Sequence, residues 1–207
     1  IEPAVRALAA SGCASFFVAT PSEGLRARSV APEAAIYVLD GLIKGSERFY
    51  LAADLRPILN TIAEAEAWAA LPSTAPKPPP AIQVETGMNR LGLTLPEAIA
   101  LAARADLVEA LKPALLMSHL ACADDPNNRK NREQLAVFET VTDFFPKLPA
   151  SLANSGGVLL GPEFHFNLIR PGIALYGGRA SIAHAPFAPV VTLEARILQI
   201  HDVEAGQ

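Results

Sequence analysis

Cysteine is scarce in this 207-residue chain, which has only Cys13 and Cys122. Two thiols without paired or metal-like spacing give no disulfide framework and no metal cluster, and they suit a reducing cytoplasm. Charge is sparse as well: 17 Lys and Arg stand against 21 Asp and Glu, for a net charge of −4. That balance leaves no electrostatic footprint for nucleic acid. No apolar run approaches the ~20 residues that span a bilayer, and no basic segment leads into a short apolar one as in a secretory signal. No G-x-G-x-x-G follows any apolar run, which removes the main signal of a dinucleotide site. An initiator methionine is lacking too. The chain opens at Ile1 in an already helical pattern and stops at a turn-like HDVEAGQ. The expectation is an internal piece of a longer cytoplasmic protein, with no nucleic-acid and no membrane partner.

Apolar residues, by contrast, make up 51% of the chain, enough for a sizeable core. They fall in short, continuous runs at 13–19, 35–41, 55–59, 81–87, 114–120, 150–154 and 166–172, as strands buried on both faces do. Helical patterns lie between them: 2–11, 21–30, a weak one at 46–53, 61–71 capped by Asn60 or Thr61, 95–104, and a long amphipathic one at 127–145. A proline-rich loop occupies 72–80, too rigid for helix and too short to separate domains. Strand–helix alternation of this kind predicts a parallel α/β fold. A closed barrel needs eight strands. The expectation is therefore a (β/α)8 TIM-type barrel over 1–186 lacking its first strand. An open doubly wound sheet is the alternative. Beyond about residue 187 the pattern alternates apolar and polar, which predicts the first antiparallel strand of a C-terminal β domain over 187–207.

Barrel active sites lie at the carboxyl ends of the strands, and the polar residues collect there. The fourth run ends in Glu85-Thr86-Gly87 with Arg90 beyond, the fifth in Ser118-His119, the sixth in Asn154-Ser155, and the seventh in Arg170, followed by Pro171, Gly172 and Ile173. A hydroxyl at a helix start, together with backbone N–H groups of a glycine turn, makes a phosphate cradle. Two arginines add permanent charge and directed donors. The pattern points to a small phosphorylated ligand with further acidic groups. Each residue also has a plainer use: Arg90 as a solvated loop cation, His119 as a satisfied half-buried ring, Asn154 and Ser155 as a helix cap, Gly172 as a turn glycine. Their recurrence on successive strand ends favours a site. His165, His184 and His201 share no spacing and are expected to be structural or exposed. Asp124 and Asp125 precede a long helix, where they favour its N-terminus rather than a metal.

The segments VETGMNRLGL (84–93), MSHLACADDP (117–126), LANSGGVL (152–159) and NLIRPGIALYGG (167–178) resemble, in order, those of bacterial alanine racemases. These are pyridoxal phosphate enzymes of the fold-type III group that interconvert L- and D-alanine for peptidoglycan. The resemblance runs along essentially the whole chain. It implies a barrel joined to a C-terminal β domain, a homodimer and a pyridoxal 5′-phosphate cofactor. It further implies that Arg170 faces the pyridine nitrogen, that His119 holds Arg170 by a hydrogen bond, and that Ser155 with the backbone of Gly172 and Ile173 binds the phosphate. Asn154 belongs to the same pocket, and Arg90 meets the substrate carboxylate.

The sequence departs from that pattern in places. Gln83 stands where the family commonly has a lysine that can be carbamylated, and Glu85 where it has Asp. The family's two bases, a lysine that also carries the cofactor and a tyrosine of the partner's β domain, have no counterpart here. Lys44, Lys77, Lys112, Lys130 and Lys147 all fall on expected loops or helices, and Tyr176 belongs to another motif. The isolated chain is therefore expected to be inactive. A non-catalytic pyridoxal phosphate barrel is an alternative, against which the alternating 190–203 segment speaks. A racemase for another amino acid is a second. A decarboxylase of the same fold group would want an acidic residue in place of Arg170, and a phosphosugar barrel would not need Arg170 and His119 as a pair.

Overall fold

The computed structural model describes residues 1–72 and 76–206; Ser73, Thr74 and Ala75 of the proline-rich loop, and Gln207, lie outside the described residues. Strands and helices alternate as expected, except that an additional helix over Ala105–Leu111 follows the one at Leu95–Ala103 before the next strand. The strands are β1 (Ser15–Val18), β2 (Ala35–Val38), β3 (Arg56–Leu59), β4 (Ala81–Gln83), β5 (Leu115–Met117) and β6 (Ala150–Ser151). The helices are α1 (Glu2–Ala10), α2 (Pro21–Arg28), α3 (Glu47–Ala52), α4 (Ile62–Ala70), α5 (Leu95–Ala103), α6 (Ala105–Leu111), α7 (Lys130–Thr142) and α8 (Ser155–Leu160). All strand pairs are parallel, and the sheet order β1-β2-β3-β4-β5-β6 repeats the chain order. This is a barrel architecture, of which six strands are formed here.

Alternation along each strand sorts the core into two layers. Phe16, Ile36, Leu59, Ile82 and Leu116 face the helices and join one large cluster with Trp68, Leu101, Phe138 and Val141. Tyr37, Ile58, Ala81, Leu115 and Met117 face the barrel interior, with Phe17 and Ala35 packed against them. Inside the barrel Phe17 and Tyr37 stack with centroids 4.8 Å apart. The Arg56 guanidinium lies 5.3 Å from the Tyr37 ring centre and donates to its hydroxyl at 2.9 Å. Arg170 lies 5.7 Å from the Phe17 ring centre. The segment that follows β6 thus meets the first strand across the interior.

Three expectations are corrected. The run at 81–87 leaves the sheet after Gln83, because the chain folds back on itself: Val84 bridges Leu93, and Glu85 N–H donates to Leu93 O at 2.8 Å. Gly92, at φ +115°, permits this; a Cβ there would lie 2.7 Å from the Val84 carbonyl carbon. The seventh strand at 166–172 is reduced to one parallel bridge, Asn154 with Arg170. Phe166 sits at φ +49°, outside extended geometry. Asn167 then replaces ladder bonds with its side chain, accepting from Ala150 N–H at 2.8 Å, and Pro171 has no N–H to continue. Finally, the alternating 190–203 segment forms no strand among the described residues and lies exposed. A strand needs a ladder partner, and the described residues supply none. The helix expected at 127–145 is trimmed to Lys130–Thr142, and Thr61 rather than Asn60 caps α4, accepting from Glu64 N–H at 3.1 Å.

Candidate active site

A cavity of about 750 Å3 runs along the open edge of the sheet, from Ile1, Val5 and Leu8 beside β1 to the carboxyl ends of the strands, where its lining includes His119, Asn154, Ser155, Arg170, Gly172 and Ile173. That volume lies in the range of small-ligand pockets. Six of the seven expected site residues are brought together. Arg90 stands apart: it is exposed on the loop after β4 and borders a hollow of about 10 Å3 with Gln83, Thr86, Ser118 and His119. His119 borders both spaces.

Arg170 is held by the ends of β5 and β6. Its Nη2 donates to Ser118 O at 2.5 Å, and its Nη1 to Ser151 O at 2.9 Å and also to Ser151 Oγ. Ser151 Oγ in turn donates to Leu168 O at 2.6 Å, and the Phe17 ring lies beneath the guanidinium. Burial pushes the guanidinium pKa down to about 10, so it remains a cation at neutral pH. The expected His119–Arg170 hydrogen bond is corrected by this geometry. The fork of Arg170 is taken by backbone carbonyls and a serine, and the imidazole reaches Asn154 instead, 3.4 Å from Nε2 to Nδ2.

Asn154 is the N-cap of α8: its Oδ1 accepts from Gly157 N–H at 2.9 Å, and its Nδ2 also donates to Leu120 O at 3.1 Å. The plain cap role and the pocket role are thus held by one side chain. Next to it, Ser155 Oγ accepts from Gly172 N–H at 2.8 Å and from Ala174 N–H at 3.2 Å. With its acceptor capacity used, the hydroxyl proton of Ser155 is left for a ligand. The Gly172 turn faces open space, with no atom within 4 Å of where a Cβ would stand. The Ser155 hydroxyl proton and the fixed Arg170 cation on one cavity, beside an open glycine turn, fit an anionic, phosphorylated ligand.

Glu85, in the place of the family's Asp, organises the Arg90 loop by accepting from Gly87 N–H at 2.6 Å and Asn89 N–H at 2.7 Å. Gln83 Nε2 donates to Leu91 O at 3.2 Å, so the amide steadies the backbone beside Arg90. Ser118, Ser151 and Phe17 were not singled out by sequence reasoning. Ser151 and Phe17 sit inside apolar runs, where a small hydroxyl or a ring passes for strand filler; Ser118 is visible only as the polar neighbour of His119.

Comparison with known proteins decides the family. The sequence model of the alanine racemase N-terminal domain matches residues 1–180. The chain belongs to the alanine racemase family. It is 48% identical to an alanine racemase of Rhizobium meliloti over 98% of this chain and 54% of that protein. It is 44% identical to a biosynthetic alanine racemase of Agrobacterium fabrum over 100% of this chain and 53% of that protein. Among solved structures, the alanine racemase of Bartonella henselae with covalently bound pyridoxal phosphate superposes with a TM-score of 0.81 at 38% identity, over 86% of this chain and 53% of that one. The chain thus spans about half the length of the alanine racemases it matches. Among the described residues no helix is long and apolar enough to cross a membrane, and no group of His, Cys, Asp or Glu is placed to hold a metal.

Proposed function

We propose that the protein carrying this chain is a pyridoxal phosphate-dependent alanine racemase. In this reading it is a cytoplasmic homodimer supplying D-alanine for peptidoglycan, and this chain is the greater portion of its barrel, with residues 187–207 opening the β domain. The observation that carries the reading is the convergence of Arg170, His119, Asn154, Ser155, Gly172 and Ile173 on one cavity at the strand ends.

The cofactor, when bound, supplies an electron sink beside the substrate's α-carbon. Arg170 would hold the pyridine nitrogen. A group that stays protonated at neutral pH would give that nitrogen a hydrogen bond without giving it a proton, and so would moderate the electron withdrawal the cofactor supplies. Ser155 donates its free hydroxyl proton to the phosphate, with the backbone of the Gly172-Ile173 turn beside it. Asn154 fixes the floor of the pocket and keeps the His119 ring against it. Arg90, unpaired by any acidic side chain among the described residues, takes the substrate carboxylate. Gln83 cannot be carbamylated and supports the Arg90 loop as a neutral amide. None of the five lysines lines the cavity, so in this reading the lysine that carries the cofactor comes from outside these 207 residues.

The test is an assay for D-alanine formed from L-alanine, run on the full-length protein and on the isolated chain, both made in a host without racemase. The full-length protein converts alanine and the isolated chain does not. Cofactor uptake by the full-length protein without conversion of any amino acid would point to a non-catalytic barrel. Conversion of another amino acid in preference to alanine would move the substrate. Activity in the isolated chain would refute the assignment of the bases.

A further inference from the structure

Gln134 lies on α7, on the side of the barrel wall away from the cavity, yet it is fully buried. It shares a helix face with Phe138 and Val141 at the i, i+4, i+7 spacing of a core stripe. An amide in such a stripe is unfavourable unless its polar atoms are satisfied. Here they are. Oε1 accepts from Ala121 N–H at 2.9 Å. Nε2 donates to His119 O at 2.9 Å and to Thr86 Oγ1 at 3.2 Å. Thr86 and Ser118 share a hydroxyl hydrogen bond of 2.7 Å, and both are buried. Thr86 Oγ1 accepts from Gln134, and either hydroxyl of the Thr86–Ser118 pair can donate to the other.

The carbonyls of the two peptide bonds that flank His119 are thus both engaged. Ser118 O accepts from Arg170, and His119 O accepts from Gln134. A shift of this short segment toward or away from α7 moves the acceptor on which Arg170 rests and turns the imidazole against Asn154. It also moves Thr86, which begins the loop that ends at Arg90.

We propose that Gln134 is a positioning residue of the active site. Acting through Thr86, Ser118 and the His119 backbone, it sets where Arg170 and Arg90 stand relative to the bound cofactor. The proposal rests on the racemase reading above. Its physical basis is that one side chain supplies both donors and the acceptor that two site loops require. Removing it takes the partners from the His119 carbonyl and the Ala121 N–H and leaves the buried Thr86 hydroxyl with Ser118 alone, so the loops must shift to find others.

The experiment uses the full-length protein loaded with pyridoxal 5′-phosphate. Gln134→Met keeps length and burial and removes every hydrogen bond. Thr86→Val leaves α7 untouched and removes the acceptor and the link to Ser118, and Thr86→Ser restores both. Expected for Gln134→Met and Thr86→Val are a shifted absorption maximum of the bound cofactor and a kcat lowered by ~10- to 100-fold, the range expected of a small misplacement in a site. The two substitutions combined lose less than the product of their separate effects, and Thr86→Ser stays close to wild type. A Gln134→Met protein with lowered thermal stability but unchanged spectrum and kcat would show that Gln134 supports only the fold. Independent, multiplicative losses would also overturn the proposal. Failure of the racemase reading looks different: the wild-type protein itself would then take up no cofactor or convert no alanine.

Discussion

Every polar atom of Asn154 is committed, and that settles the state of the ring beside it. Because Oδ1 caps α8, the amide nitrogen is the group that faces His119, so Nε2 accepts and the ring proton sits on Nδ1. An imidazolium would set two donors against each other. Burial, with the nearby Arg170 and Arg90 cations adding to it, pushes the His119 pKa down to about 4 from the ordinary 6.5. The unfolded chain therefore takes up this proton first. Stability from the neutral ring is complete above about pH 6.5 and is lost as pH falls to about 4, at about 1.4 kcal/mol for each pH unit. Denaturant unfolding across that window should show a steeper loss in the wild type than in His119→Gln; equal slopes would mean that the ring takes up its proton as readily in the folded as in the unfolded chain. At this scale the sequence was only partly legible. His119, Asn154, Ser155 and Arg170 stood out because polar residues at the ends of apolar runs are conspicuous. The partners of Arg170 did not, because two of its three acceptors are backbone carbonyls, which every residue possesses.

Helix starts are the clearest signals at the scale of elements. Thr94 opens α5 with a full capping box: its hydroxyl accepts from Glu97 N–H, and Glu97 accepts in return from Thr94 N–H at 2.8 Å. The small-residue contact of α8 is less obvious. Gly156 lies so close to the loop after β5 that a Cβ would stand 2.7 Å from both the carbonyl carbon and oxygen of Ala123. Backbone is rigid on both sides, so the strain cannot be relieved by a rotamer change. Thr94→Ala should cost about 1 kcal/mol of stability with cofactor binding unchanged. Gly156→Ala should cost about 1–3 kcal/mol and weaken cofactor binding, because α8 carries Ser155. Paired unfolding and cofactor-titration curves check both, and equal cofactor affinity in the two variants would contradict the contact. Strand positions were legible and strand lengths were not. Apolar runs mark where a strand lies, but Phe166, Asn167 and the fold-back through Gly92 shorten β4 and the last run by backbone geometry that composition does not carry. The 190–203 alternation is a real strand signal without a ladder partner among the described residues, so it stays unformed.

The whole molecule has a simple order: six parallel strands lie side by side in the order in which they follow one another along the chain. Alternation of element types was enough to predict this class, since parallel strands joined by helices have few arrangements. The interior was beyond that reading. Nothing in the spacing of Phe17, Tyr37, Arg56 and Arg170 announces that they stack, because the contact joins residues 153 positions apart along the chain, Phe17 and Arg170.

That separation has a consequence for how the molecule comes into being. Each strand adds to the edge left by the one before it, so a chain emerging from the ribosome can build its sheet in step with synthesis. The guanidinium of Arg170 is the exception. Its seat requires β5, β6 and the ring of Phe17 to be in place already, and closing so long a loop is slow compared with pairing neighbours. In pulse-labelled hydrogen exchange during refolding, the amides of β2 and β3 should become protected before that of Arg170, whose N–H donates to Ala153 O at 2.9 Å. Simultaneous protection would show a single concerted step. A nascent chain halted before residue 170 would thus hold a wall without a pocket, and quality control acting at that stage would meet a sheet whose ligand seat is still missing.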